Sequence, residues 1–384
     1  MGIRILRAVL LAVLPVACSR SGGNSSAAAP EAGTLKGAYQ GAFLVGAAVN
    51  NAQFTGRDSA GVALIRAQFN TITPENVLKW EAVHPRPGEY NWGPADAYVD
   101  FGTRNGMFVI GHTLVWHNQT PAWVFRDAAG NQVGRDTLLA RLREHIMTVV
   151  GRYKGRIKGW DVVNEAVNED GTMRRSLWYT IIGDDFLVKA FQFAHEADPD
   201  AELYYNDYSI ENAAKRDGAV RLIRSLQAAG IPVHAMGLQD HNNMTFPTVE
   251  QLDTTIAAFA ALGVKVNITE LDIDLLPRAA RRPGADLADT AGYQQRLNPY
   301  SAGLPDSVQQ ALARRYADLF QVYWKHRDAI ERVTFWGVAD GDSWLNNWPV
   351  RGRSSYPLLF DRQGSPKPAF EAVLNVSRQG AAAR

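Results

Sequence analysis

Residues 202–240 read ELYYNDYSIENAAKRDGAVRLIRSLQAAGIPVHAMGLQD, and this stretch contains two predicted strands with a helix between them. The apolar and aromatic runs at 202–206 and 234–239 are typical of buried strands. A helical pattern begins near Asn212 and ends at Gly230. A strand, a helix and a second strand in this order predict a βαβ unit, whose two strands are parallel.

The same alternation of short apolar runs and longer helical patterns continues along the chain from residue 43. The predicted strands are residues 43–50, 69–73, 107–112, 157–164, 202–206, 234–239, 264–270 and 332–338. The predicted helices begin near Asp58, Pro94, Asp136, Asp184, Asn212, Thr248, Asp306 and Ser365. Eight such units without an obvious linker favour an α/β fold of the closed (β/α)8 TIM barrel type over an open doubly wound sheet, which usually has fewer strands. We therefore expect one barrel domain over residues 34–384.

The chain before this domain is predicted to contain an export signal and a flexible tether. Residues 1–18 carry Arg4 and Arg7 followed by an apolar run, which has the charge and length of an export signal rather than of a membrane span. The single cysteine, Cys18, follows the sequence LPVA, which resembles a bacterial lipoprotein cleavage box. Two alternatives stay open, a lipid on Cys18 or an ordinary signal peptide with an inert cysteine. Residues 19–33 are small and polar, as in a flexible tether.

Composition restricts the partners and the location of the protein. With 40 basic and 39 acidic residues the formal charge is +1, and no stripe of Lys and Arg is visible, so nucleic acid is not an expected partner. A single cysteine excludes an internal disulfide. We expect an exported monomer that is secreted, periplasmic or anchored at the outer membrane as a lipoprotein, with a lipid on Cys18 as the only membrane contact.

Polar residues follow the predicted strands at the point where each strand ends, and these ends meet on one rim of a barrel. The set is Asn50, Glu75, Asn76, His112, Asn164, Glu165, Asn206, Asp207, Gln239, His241, Glu270, Asp272 and Trp336. One rim therefore collects carboxylates, amides, imidazoles and an indole. A segment at 275–305, rich in Arg, Pro and Gly, is predicted to form a long loop above the same rim.

Glu165 and Glu270 are the candidate catalytic carboxyl groups, because hydrolysis of a glycosidic bond needs one protonated and one ionised carboxyl group. On the residues alone, a glutamate in this position is more often a capping or salt-bridged surface residue than a catalytic one. Glu270 and Asp272 fall on the same side of their strand, and one of them could instead only pair with an arginine. His241, at the end of the preceding strand, is placed to hydrogen-bond a neighbouring carboxylate and keep it ionised.

Two further groups of residues each allow two interpretations. The segment TPENVLKW at 73–80 supplies Glu75, Asn76 and Lys79, either as sugar ligands or as a capped helix start with a lysine that reaches to solvent. The second group consists of three tryptophans, whose indoles either stack on sugar rings or simply cover the hydrophobic core. They are Trp116, Trp336 and Trp344.

The spacing of residues disfavours metal and serine chemistry. The histidines form neither a His-x-His pair at a strand end nor a His-Glu-x-x-His helix, so no metal site is expected. The chain contains no Gly-x-Ser-x-Gly elbow and no Gly-rich phosphate loop. We expect an activity that uses no cofactor.

Six ordered motifs resemble those of the glycoside hydrolase family ten endo-β-1,4-xylanases. They are TITPENVLKW, GHTLVWHNQTPAW, WDVVNEAVNEDG, GLQDH, ITELDID and VTFWGVADGDSWL, and the resemblance runs from about residue 35 to residue 376. It implies a retaining enzyme that hydrolyses internal β-1,4 bonds of xylan or xylo-oligosaccharides through a covalent glycosyl-enzyme. Asp240, between Gln239 and His241, departs from the family pattern, which has a small residue there, and strand alternation points its side chain away from the site.

The same resemblance implies a role for each candidate residue. Glu165 is implied to be the acid/base and Glu270 the nucleophile, while Asn164 binds the 2-hydroxyl of the attacked sugar. Gln239 and His241 position the carboxylates, and Asp272 holds His241. The remaining implied contacts are Glu75, Asn76, Lys79, His112 and Gln119 on the non-reducing side of the substrate, and Trp116, Trp336 and Trp344 as walls of the sugar sites.

Two rival functions stay open at this point. A β-1,4-glucanase or a mixed glycanase could use the same barrel and the same two acids. A glycan-binding lipoprotein could have kept the cleft without turnover, but the presence of both acids argues against it.

Overall fold

The computed structural model describes residues 1–2, 33–277, 297–349 and 351–382. The predicted export signal beyond residue 2, the predicted tether up to residue 32 and Cys18 lie outside the described residues, as does most of the predicted loop at 275–305. After residue 33, the first helix begins at Leu35 and the last one ends at Ala382.

Eight parallel strands form a closed ring, which confirms the predicted (β/α)8 TIM barrel. Around the ring the order is β1-β2-β3-β4-β5-β6-β8-β9, and β9 pairs in parallel with β1. The short β7, which the sequence pattern does not predict, pairs with the last residues of β8. The strands are β1 Leu44–Val49, β2 Thr71–Pro74, β3 Phe108–Val115, β4 Gly159–Asn164, β5 Glu202–Asp207, β6 Ala235–Leu238, β7 His241–Asn243, β8 Lys265–Asp274 and β9 Ile330–Phe335.

Two strands run further than the sequence pattern predicts. β3 ends at Val115 rather than at residue 112, and β8 ends at Asp274 rather than at residue 270. Both strands shift register against a neighbour in these last residues. A buried strand is predicted from a continuous apolar run, and polar residues such as His112 and Glu270 interrupt that run. The predicted strands therefore end at these residues, although the backbone continues in extended form.

Helices cover the outside of the ring. They are α1 Leu35–Ala38, α2 Asn51–Phe54, α3 Ser59–Gln68, α4 Trp80–Val83, α5 Trp92–Arg104, α6 Arg135–Arg152, α7 Leu177–Ile182, α8 Phe186–Ala197, α9 Ala213–Ala228, α10 Val249–Ala260, α11 Asp306–Lys325 and α12 Pro368–Ala382. All predicted starts but one lie within two residues of an observed start, and α12 begins at Pro368 rather than near Ser365. The short α1, α2, α4 and α7 are not predicted, because four to six residues hold too little periodic pattern. Within the described ranges, no helix has the length and apolarity to cross a membrane.

Side-chain caps explain two of the helix starts. Asp58 accepts a hydrogen bond from the backbone N–H of Gly61 at the start of α3, at 2.9 Å. At α10, the Thr248 hydroxyl accepts from the N–H of Gln251, whose side-chain oxygen accepts from the N–H of Thr248. Asn212 occupies the N-cap position of α9 but makes no side-chain capping bond. Each formed cap contributes about 1 kcal/mol to stability.

The ring of strands divides the hydrophobic core into two parts. A large cluster, which includes Leu203 and Tyr205 of β5, fills the layer between the strands and the helices. A separate small cluster consists of Ile110, Tyr204 and Ala235. Because successive strand residues face opposite sides of a sheet, Tyr204 points into the ring when Tyr205 points to the helices. The small cluster therefore lies inside the barrel, below the side chains of the carboxyl-terminal rim.

A buried ion pair ties the end of the ring to the last helix. Nζ of Lys367 lies 2.9 Å from Oδ2 of Asp340 and donates to the carbonyl of Leu358 at 2.7 Å. The change Lys367→Met leaves the Asp340 carboxylate buried without its cation. We expect the free energy of unfolding, measured in guanidinium chloride, to fall by about 3–5 kcal/mol.

An exposed ion pair provides the control for this variant. Nζ of Lys325 lies 2.6 Å from Oδ1 of Asp253, and the lysine side chain is 63% exposed. The change Lys325→Met should alter the free energy of unfolding by less than about 1 kcal/mol. Equal losses in the two variants would contradict a structural role for the buried pair.

Candidate active site

The polar residues at the strand ends meet at the carboxyl-terminal rim of the barrel. Glu165 directly follows β4, and Glu270 lies in the second half of β8. Each of these two glutamates is only 5% exposed. A buried carboxyl group needs hydrogen-bond partners, and both have them.

Three amide side chains link the two carboxyl groups. Nε2 of Gln239 donates to Oε1 of Glu165 at 3.0 Å and to Oδ1 of Asn164 at 3.3 Å. Nδ2 of Asn206 donates to the same Oδ1 of Asn164 at 2.9 Å and to Oε1 of Glu270 at 2.8 Å. We call Gln239, Asn164 and Asn206 the amide bridge. Through it, the two candidate acids belong to a single site.

Asn206 fits into the amide bridge because its neighbour on β6 is a glycine. Asn206 pairs with Gly237, and a Cβ atom at position 237 would lie 2.4 Å from Oδ1 of Asn206. The Thr269 hydroxyl donates to this same Oδ1 at 2.7 Å, which leaves Nδ2 to donate toward Glu270. Asn206 is one of the predicted strand-end residues but not one of the predicted site residues. The available signal is that Asn206 ends the strand next to that of Asn164, so the two amides are expected to lie side by side at the rim.

The backbone of Glu165 adopts a left-handed conformation, with φ 58°, that residues other than glycine rarely adopt. Its N–H donates to the carbonyl of Asn206 at 2.9 Å, and its carbonyl accepts from Nε of Arg174 at 2.8 Å. Such backbone strain costs about 1–3 kcal/mol and is concentrated at functional sites. The Glu165 side chain is held in place by Trp116, whose Nε1 donates to Oε2 of Glu165 at 2.9 Å.

The surroundings of Glu270 keep it ionised. Its Oε2 lies 3.1 Å from Nε2 of His241, and its Oε1 accepts from Asn206. Burial raises the pKa of Glu270, but the hydrogen bond from His241 and the charge of His112 outweigh burial and lower that pKa below its usual value. An ionised carboxylate held in a fixed position can serve as a nucleophile.

A second carboxylate anchors His241 on its other side. Nδ1 of His241 lies 3.0 Å from Oδ1 of Asp272, and Nε1 of Trp344 donates to the other Asp272 oxygen at 2.7 Å. Burial lowers the pKa of His241, but Asp272 and Glu270 outweigh burial and raise that pKa to about 10. His241 is therefore an imidazolium clamped between two carboxylates, which fixes the orientation of its ring.

Lys79 lies beside both candidate acids. Its Nζ donates to Oδ1 of Asn76 at 3.0 Å and lies 5.2 Å from the centre of the Trp116 ring. Burial lowers the pKa of Lys79, although the charges of Glu270, Glu75 and Glu165 act in the opposite direction. Burial likewise raises the pKa of Glu75 against the charge of Lys79. This part of the rim offers a cation, an amide and a carboxyl group to a ligand.

His112 belongs to a second histidine–carboxylate pair at the rim. Its Nδ1 lies 2.9 Å from Oδ2 of Asp161, and its ring packs edge-on against Trp336 with centroids 5.4 Å apart. Asp161 is not among the predicted site residues, because it lies inside the apolar run of β4 rather than at its end. In the part of the chain that the structure describes, His, Cys, Asp and Glu side chains form no group of three that could hold a metal ion.

A cleft with an adjoining groove opens at this rim. The cleft is lined by Ala48, Asn50, Glu75, Trp336, Gly337, Asp342 and Trp344. The groove shares Asn50 and Glu75 with the cleft and continues to Asn76, Phe54 and Arg57. Indole faces combined with amide and carboxyl groups suit sugars, which have apolar faces and polar edges.

Comparison with known proteins identifies the family. The model of glycosyl hydrolase family 10 matches residues 34–376. The chain belongs to glycosyl hydrolase family 10. The resemblance of the six motifs is thereby confirmed, and this family 10 hydrolase is an enzyme of the glycoside hydrolase class.

Relatives of this family 10 hydrolase include proteins from several bacteria. Endo-1,4-β-xylanase A of Xylanibacter ruminicola is 46% identical over 89% of this chain and 93% of the relative. A β-1,4-xylanase of Dictyoglomus thermophilum is 43% identical over 89% of this chain and 90% of the relative. A solved GH10 endoxylanase from a sugarcane soil metagenome has a TM-score of 0.87 at 46% identity, covering 89% of this chain and 99% of that one. A solved mutant in complex with xylotriose has a TM-score of 0.79 at 36% identity, covering 89% and 99%.

The structure of this family 10 hydrolase brings most of the predicted site residues together. Direct hydrogen bonds join Glu165, Gln239, Asn164 and Trp116, and a second set of hydrogen bonds and ion pairs joins Glu270, His241, Asp272 and Trp344. Asn206 links the two sets, and a further hydrogen bond joins Lys79 to Asn76. Glu75 and Trp336 line the cleft, and His112 packs against Trp336. Gln119 is different, because its backbone carbonyl accepts from the N–H of Glu81, and its side chain bonds none of the other site residues that the structure describes.

The ion pairs of His241 should make the stability of this hydrolase fall at alkaline pH. The pKa of His241 is about 10 in the folded protein, against an ordinary value of 6.5. The folded state therefore holds an extra proton between these two pH values, so the contribution is complete below about pH 6.5 and is lost as the pH rises through about 10. In urea titrations, the free energy of unfolding of the wild type should decline across this window by up to about 1.4 kcal/mol per pH unit more than that of His241→Gln.

His234→Gln serves as the control for this pH dependence. Nδ1 of His234 accepts from the N–H of Leu203 at 2.8 Å, and burial lowers the pKa of His234. Because its pKa is shifted in the opposite direction, this variant should retain the alkaline decline of the wild type. The assignment is wrong if His241→Gln shows the wild-type slope.

Proposed function

We propose that this family 10 chain is a retaining endo-β-1,4-xylanase, with Glu165 as the acid/base and Glu270 as the nucleophile. The observation that carries the proposal is the amide bridge, which connects the two buried carboxyl groups within one site. The names of the xylanase relatives and the neighbour in complex with xylotriose support xylan as the substrate. Cleavage occurs at internal bonds by double displacement.

In the first step, Glu270 attacks the anomeric carbon while Glu165 gives its proton to the departing glycosidic oxygen. The ion pair with His241 and the hydrogen bond from Asn206 keep Glu270 ionised and fix its direction. Asn164 is suited to the 2-hydroxyl of the attacked sugar, because its Oδ1 already accepts from the two other amides. Both hydrogen bonds that the described residues make with the Asn164 side chain are to Oδ1, which leaves Nδ2 to donate to the sugar.

In the second step, Glu165 accepts a proton from the water that releases the bound sugar. Ester formation has removed the charge of Glu270, so a negative charge on Glu165 no longer meets repulsion from the nucleophile. Trp116 and Gln239 each donate a hydrogen bond to one oxygen of Glu165, so the carboxyl group keeps the same position in both steps. One carboxyl group can thus act as acid and then as base.

The substrate chain extends along the rim on both sides of this pair of acids. On the non-reducing side it meets Glu75, Asn76, Lys79, His112 and Gln119, and the indoles of Trp116, Trp336 and Trp344 form the walls. The hydrogen bond from Trp344 to Asp272 holds this indole in place. A rigid wall there would crowd the hydroxymethyl group that glucose has and xylose lacks, which favours xylan over a β-1,4-glucan.

The substrate is tested by comparing initial rates on linear xylan and carboxymethyl cellulose. We expect kcat/KM on xylan to be roughly 10–200-fold higher, the range that a single excluded group supplies. The change Trp344→Ala should narrow this ratio by opening the wall. Equal rates on the two polymers in the wild type would favour a β-1,4-glucanase or a mixed glycanase instead.

The stereochemical course is tested by proton NMR of the products of linear xylan. A double displacement releases the β-anomer first, and the α-anomer grows only as the sugar mutarotates. Initial release of the α-anomer would rule out a retaining mechanism and a nucleophilic role for Glu270.

We also propose that the protein is exported, either secreted, periplasmic or anchored at the outer membrane as a lipoprotein. Arg4, Arg7 and the apolar run before Cys18 support an export signal. Mass spectrometry of the protein from the native host would give the mature N-terminus and any lipid on Cys18. An intact Met1 on an active cytoplasmic protein would contradict export.

A further inference from the structure

Two carboxyl groups lie buried directly behind the active site. Asp240 and Glu211 are each 2% exposed. Asp240 has a left-handed backbone, with φ 55°, and its side chain points away from the cleft, as strand alternation predicts. Its Oδ2 accepts a hydrogen bond from the hydroxyl of Tyr323 on α11 at 2.5 Å.

The carboxyl groups of Asp240 and Glu211 are neighbours within reach of one shared proton. Oδ1 of Asp240 and Oε1 of Glu211 are both buried, and no N–H or O–H donor of the described residues reaches either oxygen. Two ionised carboxylates offer only acceptors, so the two groups can form a hydrogen bond only when one of the pair holds a proton. Burial and then the charge of Asp240 raise the pKa of Glu211 well above its usual value. Burial also raises the pKa of Asp240.

The other charged groups near this pair come from several elements and are already engaged. Lys215 on α9 faces Glu211, but its Nζ lies 3.0 Å from Oδ1 of the buried Asp207. Arg315 on α11 faces Asp240, but its guanidinium donates to backbone carbonyls. His241 faces Asp240 and is itself clamped by the two carboxylates of the active site. A shared proton is therefore the way in which the pair avoids two adjacent buried negative charges.

The residues on either side of Asp240 contact both proposed catalytic glutamates. Gln239 donates to Glu165 through its side chain, and its carbonyl accepts from the N–H of Glu270 at 3.0 Å. His241, on the other side, forms the ion pair with Glu270. A displacement of Asp240 is therefore expected to displace Glu165 and Glu270 as well, through Gln239 and His241.

We propose that Asp240 is a positioning residue, and that one proton shared between Asp240 and Glu211 fixes the 239–241 segment against α11 so that both catalytic carboxyl groups are aligned. This inference rests on the proposed function of Glu165 and Glu270. It assigns Asp240 no contact with substrate. Removing the pair acts on kcat rather than on substrate affinity, because the binding residues at the rim are unchanged.

Kinetics of two alanine variants test the positioning role. In Asp240→Ala we expect kcat on linear xylan to fall roughly ten- to a hundredfold with little change in KM, the effect of a displacement near 1 Å at the reacting groups. Asp198→Ala is the control, because Asp198 is also buried but accepts from the N–H of Gly155, at the opposite end of the barrel. It should lose stability without a matching loss of kcat. The conservative Asp240→Asn should recover most of the kcat, since its amide can donate to Glu211.

Infrared difference spectroscopy tests the shared proton without any turnover. With Glu165→Gln as the common background, we expect a carboxylic acid carbonyl band at neutral pH that disappears when either Glu211→Gln or Asp240→Asn is added. A spectrum unchanged by both substitutions overturns the shared proton. Wild-type kcat in a folded Asp240→Ala overturns the positioning role, whereas a wild-type protein that does not hydrolyse xylan overturns the proposed function alone.

Discussion

Replacement of Glu270 by alanine should abolish turnover of aryl xylosides with activated leaving groups, lowering kcat on the order of 10⁵-fold. An activated leaving group needs no proton from Glu165, but no first step can occur without a nucleophile. The remaining site should persist, because His241 keeps its partner Asp272 at 3.0 Å. Release of the phenol, followed by absorbance, measures the effect.

Two further measurements distinguish loss of the nucleophilic oxygen from a change in the structure of the active site. Glu270→Gln keeps the size of the side chain and its acceptor oxygen for Asn206, yet an amide is not a nucleophile, so this variant should be comparably inactive. Added azide should yield no glycosyl azide of retained configuration from Glu270→Ala. Undiminished turnover in either variant would refute the assignment of Glu270.

Replacement of Glu165 by alanine should have an effect that depends on the leaving group. On xylan, whose leaving sugar needs a proton, we expect kcat to fall by roughly 10²–10⁴-fold. On an activated aryl xyloside the first step still proceeds, and the ester at Glu270 accumulates because no base activates water. Azide needs no base, so it should restore turnover and give a glycosyl azide of retained configuration. A burst of phenol release followed by a slow phase would be the direct signature.

Trp116→Phe is the matched control for the acid/base. It removes the indole N–H that donates to Oε2 of Glu165 at 2.9 Å but keeps the carboxyl group and an aromatic wall. Loss of one hydrogen bond to a charged group corresponds to about 1.5–3 kcal/mol, or roughly ten- to a hundredfold in rate. This variant should not respond to azide. If Glu165→Ala lost the same factor in kcat on xylan and on the aryl xyloside, and azide restored neither, Glu165 would not be the acid/base.

The barrel itself could be predicted from the sequence because its strands are buried on both faces. Such strands appear as continuous apolar runs, as at 202–206, and the helices between them carry recognisable caps such as Asp58 and Thr248. Once the strands are located, the rule that site residues lie at their carboxyl ends selects the rim. Glu165 and Glu270 were among the residues that this rule selects.

The partners of the acids could not be predicted, because they depend on strand register and side-chain conformation. Asn206 reaches Glu270 only because Gly237 lies beside it without a side chain. The hydrogen bond from Trp344 to Asp272 joins residues that are far apart in the chain. The left-handed backbone of Glu165 is likewise fixed by Asn206 and Arg174, and no local sequence pattern marks it.

Closure of the ring between β9 and β1 has a consequence for how this protein can be assayed. The proposed acid directly follows β4, whereas the proposed nucleophile lies on β8 and Trp344 follows β9, so neither the β1–β4 half of the barrel nor the β5–β9 half carries both acids. A partly assembled barrel would show normal secondary structure by circular dichroism and yet have no hydrolytic power. Hydrolytic activity therefore measures only the fraction of molecules with a completely folded barrel. It is a stricter test of correct folding than any spectroscopic measurement of helix content.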